Sequence, residues 1–161
     1  MATFGLSLEE EKTRLIEFGR FAEENSRRRG QGKPETFTFL GFTHYCSKDR
    51  SGRRFRVKRK TSKKKFKKKL KEIHKEIRQM RNRPVAEIIK HLNKILTGYY
   101  HYYGITDNIK SLRDFLEKVR YKLFYWLNRR SQKRSYNWKG FQELLRFLPL
   151  AQPKIYVSIY T

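Results

Sequence analysis

Aspartate is scarce in this chain of 161 residues: Asp49, Asp107 and Asp114 are the only three, and no two are adjacent. A two-metal nucleotidyl-transfer centre needs several carboxylates converging on ions about 3.5–4 Å apart, so no polymerase centre can be assembled from these residues. The acidic run Glu9-Glu10-Glu11 instead opens a predicted helix, where it favours the positive end of the dipole. One cysteine excludes a disulfide framework. His44-x-Cys46 has no second pair at ligand spacing, so no zinc site is expected, and Cys46 reads as a buried strand residue. No apolar run approaches the roughly 20 residues that cross a bilayer. The start, Met1-Ala2-Thr3-Phe4, lacks the charged-then-apolar layout of a signal peptide. A soluble, cytoplasmic protein without metal, cofactor or membrane partner is expected, and no catalytic residue is assigned.

Positive charge is what the chain has in excess. Lys and Arg number 40 against 15 Asp and Glu, a formal net charge of +25 and a pI near 10.4. Hydrophobic residues still reach 37% and aromatics 15%, so the chain should fold around a core rather than behave as a disordered polycation. Charge of this size repels itself unless something anionic lies against it. A nucleic acid is the expected counterpart, with an anionic membrane surface the weaker alternative. Residues 48–83 hold 19 Lys and Arg and 3 Asp and Glu. Same-sign pairs at i,i+4 destabilise an isolated helix by a few tenths of a kcal/mol each, so a polyanion is expected beside Lys63, Lys64, Lys65, Lys67, Lys68 and Lys69. Arg53, Arg54 and Lys58 extend that candidate RNA-binding set. A second basic centre runs from Asn128 to Trp138. There Arg129, Arg130, Lys133 and Arg134 suit phosphates, and Tyr136 or Trp138 suits an unpaired base. Trp138 alone reads better as an anchor of the last helix, together with Phe141.

The pattern predicts an α+β chain. Ser7 caps a short helix, Thr13 to Phe21 alternates as a strand, and Glu23 to Pro34 reads as a loop. Thr36 to Cys46 is rich in β-branched and aromatic residues, interrupted at Gly41 by a bulge or a close backbone approach. Asp49-Arg50-Ser51-Gly52 supplies a turn before Phe55 and Val57, completing a hairpin. From Ser62 the period becomes helical: Phe66, Leu70, Ile73, Ile77 and Met80 share one face. Pro84 suits the first position of a second helix, whose stripe runs from Val85 through Leu92 and Leu96 to Tyr103 before Gly104. Tyr99, Tyr100 and Tyr103 belong to that stripe, whereas His101 and Tyr102 point elsewhere and are available to RNA. Ser111 with Asp114 resembles a capping box before a third helix bearing Leu112, Phe115, Leu116, Val119, Leu123, Trp126 and Leu127. Trp138 to Phe147 is a fourth helix, and Ile155, Val157 and Ile159 alternate as a last strand.

Several of these segments resemble a known family. Leu6 to Thr13 followed by Phe37-Thr38-Phe39-Leu40-Gly41-Phe42 is similar to the end of the palm in bacterial group II intron reverse transcriptases. In that family the Phe39, Leu40, Gly41 and Phe42 positions form a primer-gripping hairpin. The basic helix after Ser62 resembles the start of the thumb. Leu92-Asn93-Lys94-Ile95-Leu96-Thr97-Gly98-Tyr99-Tyr100-His101-Tyr102-Tyr103-Gly104, with Leu127 to Tyr136, resembles the maturase-specific domain, often called domain X. The resemblance implies a division into a palm-end remnant, 1–60, and a helical thumb and domain X, 61–161. It further implies a protein that binds structured group II intron RNA and assists its folding and splicing. The fingers, most of the palm and the Tyr-Ala-Asp-Asp type motif have no counterpart here, so polymerase activity is not implied. Two other readings stay open: the C-terminal half of a split reverse transcriptase acting with a separate fingers and palm chain, or an inactive mobile-element remnant. A DNA target is a further partner open on either reading.

Overall fold

A computed structural model describes residues 14–49, 51–133 and 135–159. The helix expected after Ser7 lies outside the described residues, as do Arg50 and Arg134. Five helices and three strands are described: α1 Ala22–Arg28, β1 Phe37–Phe39, β2 Phe42–Lys48, β3 Phe55–Thr61, α2 Lys63–Met80, α3 Val85–Tyr103, α4 Ile109–Leu127 and α5 Trp138–Phe147. The strands form one antiparallel sheet in the order β1-β2-β3. The fold class is therefore α+β, a small sheet followed by a mainly helical region. The chain divides into two units: Met1–Phe39 with His44–Lys58, and Leu40–Thr43 with Arg59–Thr161.

In the first unit, the described part of the expected strand Thr13 to Phe21 is irregular, with Leu15 98% exposed. Alternation alone does not fix a strand, which also needs a ladder of hydrogen bonds to a neighbour. The expected loop from Glu23 contains α1 instead. Glu23 and Glu24 occupy its first turn and Arg27 and Arg28 its last, each acid paired with the base four residues on at 3.9 and 2.6 Å. Those pairs oppose the helix dipole in the stabilising sense. Cys46 is half-buried rather than buried, its Sγ 3.6 Å from the Gly19 carbonyl. Phe37 stacks on His44 at 4.7 Å and meets Phe18 edge-on.

The second unit holds the core. α2 contributes Ile73 and Ile77, while Phe66, Leu70 and Met80 pack at its margin. α3 buries Ile88, Ile89, Leu92, Leu96, Tyr99, Tyr100 and Tyr103. α4 buries all seven residues of its expected stripe, and Phe141 of α5 is fully buried. α2 packs most extensively against α4. The residue carrying the proline stands one place earlier than expected, since Pro84 caps α3 and Val85 begins it. Ser111 is no cap: α4 starts at Ile109, two residues ahead of it.

Asn108, before α4, has a different task. It is completely buried; its Nδ2 donates to the Thr61 hydroxyl and the Tyr103 carbonyl at 2.9 and 2.8 Å, and its Oδ1 accepts from the Thr61 N–H at 2.9 Å. One amide thus joins the end of β3, the end of α3 and the start of α4. Asn93 acts likewise on the C-terminal segment, donating to the Pro149 carbonyl and accepting from the Ala151 N–H. The last expected strand reduces to a single parallel bridge between Ile105 and Val157. Its tightest point is Gly104, where a Cβ would lie 2.3 Å from the Tyr100 carbonyl oxygen and 2.6 Å from that of Lys154.

Candidate nucleic-acid interface

The Leu40–Gly41 turn joins β1 to β2 with both residues in the left-handed region, φ 47° and 81°. Glycine adopts this freely and leucine does not, so Leu40 needs support from its surroundings. Tyr102 of α3 donates its hydroxyl hydrogen to the Leu40 carbonyl at 3.0 Å, and the Gly41 carbonyl accepts from the Ser62 N–H at 2.8 Å. Phe42 lies against Tyr102 and Tyr103, and a Cβ on Gly41 would sit 3.0 Å from the Tyr103 hydroxyl. The interruption foreseen at Gly41 is therefore a hairpin turn and a close approach together.

Ser62 then starts α2, its Oγ accepting from the Lys65 N–H. No acidic residue stands in the first turn, so Lys63, Lys64 and Lys65 face the positive end of the helix dipole, an unfavourable arrangement for cations. Lys67 and Lys68 continue the exposed basic face, while half-buried Lys69 reaches Glu72 at 3.3 Å. Lys65, Lys68 and Lys69 line a cavity of about 710 Å³ with Leu40, Gly41, Tyr102 and Lys94 of α3. Lys94 was not among the expected contacts. Its only signal was its place in the Leu92–Gly104 segment, four residues before the exposed Gly98 that also lines the cavity.

The remaining candidates divide. Arg53 and Arg54 are exposed beside the β2–β3 turn, where the Asp49 carboxylate accepts from the Ser51 hydroxyl and from backbone N–H groups; these bonds hold its pKa below the usual value. Lys58, in β3, is half-buried. All of these belong to the first unit. In the α4–α5 loop, the Arg129 guanidinium sits 4.4 Å above the Tyr125 ring and Lys133 is exposed. Arg130 instead donates through Nη2 to the Arg83 carbonyl at 3.1 Å, and burial lowers its pKa, with nearby Tyr136 acting the other way. Tyr136 is half-buried against the core, its N–H bonded to Asn128 Oδ1. Trp138 packs on Phe124, Phe141 and Tyr121, the anchoring role expected of it. Tyr99 and Tyr100 are buried deeply enough to raise their phenol pKa values strongly, whereas Tyr102 stays 56% exposed. His101 is stacked on Tyr156 at 4.0 Å.

Fold and site together define an α+β chain, a small sheet followed by helices, with exposed lysines concentrated along α2. The family model of the group II intron maturase-specific domain matches residues 63–143, just over half of the chain. The chain belongs to this family and represents the C-terminal region of a group II intron maturase, which gives it a role in group II intron splicing. No curated protein and no solved structure matches it significantly. Among the described residues, no helix is long and apolar enough to cross a membrane.

Proposed function

We propose that this chain is a non-catalytic RNA-binding maturase unit, working in the cytoplasm, that clamps structured group II intron RNA and favours its splicing-competent fold. The RNA supplies the splicing chemistry, and the protein lowers the repulsion between phosphates that must pack closely. The observation that carries this reading is the start of α2, where exposed lysines crowd the wrong end of a helix dipole beside a lysine-lined cavity. A neighbouring polyphosphate removes that strain. Lys63, Lys64, Lys65, Lys67 and Lys68 then contact phosphate, with Arg129 and Lys133 of the α4–α5 loop forming a second contact. The test is binding of the purified chain to intron RNA and to a scrambled RNA at matched salt. Tighter intron binding, with about 0.7–0.9 in log–log salt slope per phosphate contact, is expected. Equal affinities would leave a generic polycation and defeat the proposal.

A second reading is favoured by one feature. Among the described residues β1 lies at the edge of the sheet and each of its residues is exposed, with Phe39 60% exposed, and exposed strand residues of this kind suit contact with another chain. On this reading the chain completes a palm supplied by a separate fingers and palm chain. Co-purification of the two halves, with primer extension by the pair alone, would favour it. An aggregating chain without cooperative unfolding would instead point to an inactive remnant.

A further inference from the structure

α4 carries aromatic rings that the core does not use. Tyr121 and Tyr125 stand one turn apart and are 59% and 43% exposed, although the helix already buries a full stripe of its own. With Leu70, His74, Lys118 and Lys122 they line a groove of about 530 Å³ against α2. The rings are held in place. Tyr121 lies nearly parallel to Trp138 at 5.1 Å and 16°, and the Arg129 guanidinium covers one face of Tyr125. Of the lining residues, His74 accepts at Nδ1 from the Trp126 indole N–H at 3.3 Å, so the neutral imidazole carries its proton on Nε2 and offers a donor. Burial, with Lys122 and Arg78 nearby, lowers the His74 pKa and so favours the neutral ring.

Fixed aromatic faces flanked by cations suit a single strand, in which bases are free to stack; a duplex hides those faces inside. The charge around the groove selects the same occupant. Lys122 and Arg129 supply positive charge, and Lys118 shares its charge with Asp114 at 3.5 Å. We propose that the α2–α4 groove captures an unpaired nucleotide of RNA, its base against Tyr121 and Tyr125 and its phosphates on Lys122 and Arg129. This rests on the RNA-binding reading, shares Arg129 with its second phosphate contact, and adds a different preference: the α2 lysines meet phosphate in any helix, and the α4 rings require an unstacked base.

Two RNAs of equal phosphate number separate these roles, a blunt duplex and the same duplex interrupted by an internal single-stranded loop. For the full chain, anisotropy titration should show tighter binding to the looped RNA. Tyr121→Ala with Tyr125→Ala should weaken looped-RNA binding about 5- to 150-fold for each base stack lost and weaken duplex binding far less, by no more than the Arg129 contact that Tyr125 seats. Tyr125→Phe should retain binding and Tyr125→Leu, which keeps apolar bulk without a ring, should not. That pair decides the matter if the double variant fails to fold. A 4-thiouridine placed in the loop should crosslink to this face of α4. Equal losses on both RNAs, or no loss on either, overturn the proposal, the latter leaving the groove to a protein partner. A parent chain that binds neither RNA removes the broader RNA reading itself, a result distinct from parent binding that the tyrosine variants leave untouched.

Discussion

The two units of this chain use apolar residues in opposite ways. Among the described residues of the first unit, Ala22 is the one buried hydrophobic side chain, while Leu15, Phe21, Phe37 and Phe39 are exposed. The second unit places leucine, isoleucine and aromatic residues from four helices into one continuous core. Burial is the main favourable term in folding, so stability should concentrate in the second unit. The described residues of the first unit are joined by charge pairs, ring contacts and hydrogen bonds, and exposed charge pairs are individually weak at a solvated surface. Similar residue types therefore carry different consequences according to the unit that holds them.

The sharpest way to break this comparison is to remove the same side chain from each unit. Phe115 is fully buried and stacks on Tyr99 at 3.9 Å. Phe115→Ala should cost about 3–5 kcal/mol in urea unfolding, whereas Phe39→Ala should change stability by less than about 0.5 kcal/mol. Equal costs would mean that the first unit shares the core's cooperativity. Next in size, Asn108→Ala strands the Thr61 N–H and the Tyr103 carbonyl in a buried place and should cost about 2–3 kcal/mol. Replacing Lys63, Lys64, Lys67 and Lys68 by glutamine should stabilise the fold by about 1 kcal/mol, since each like-charge i,i+4 pair removed relieves a few tenths of a kcal/mol. The same variant should lower the RNA salt slope by about 3; an unchanged slope would remove the α2 face from the interface. Asn137→Ala removes the side-chain acceptor for the Gly140 N–H at the start of α5 and should cost about 1 kcal/mol, read from thermal unfolding.

The smallest effect is a pH dependence. The His74 pKa lies below its ordinary value of 6.5 in the folded chain, so the unfolded chain binds more protons in the interval between the two values. Stability contributed there is complete above pH 6.5 and declines as pH falls toward the folded value. His74→Gln, which keeps an acceptor for the Trp126 N–H, should flatten that part of the stability profile. A parent profile no steeper than the variant's would show that the histidine is not held neutral.

Legibility in the sequence followed the same division. α2 to α5 were readable because a buried stripe enforces the helical period, and α5 begins and ends where its residues predicted. α1 escaped notice because it buries little; its signal lay in the charges of Glu23, Glu24, Arg27 and Arg28, which an apolar pattern does not register. Asn108 and Asn93 were illegible for another reason. Each reaches partners distant in the chain, at Thr61 and Pro149, and a polar residue shows no period from which such a bond can be inferred. On the candidate interface, the run of lysines was plain and the α4 tyrosines were not, because positions 121 and 125 belong to a helix whose apolar stripe already accounted for its aromatics.

Arg130 carries a lesson for mapping such a surface by mutation. Its hydrogen bond to the Arg83 carbonyl makes it a brace between two loops. Truncating it would slacken the neighbouring loop and displace Arg129 and Lys133, so affinity would drop even if no phosphate had ever touched the missing guanidinium. Alanine scanning would then score a scaffold defect as lost recognition. Charge counted along a chain overstates the charge on offer to a ligand whenever some of it is already holding the protein together.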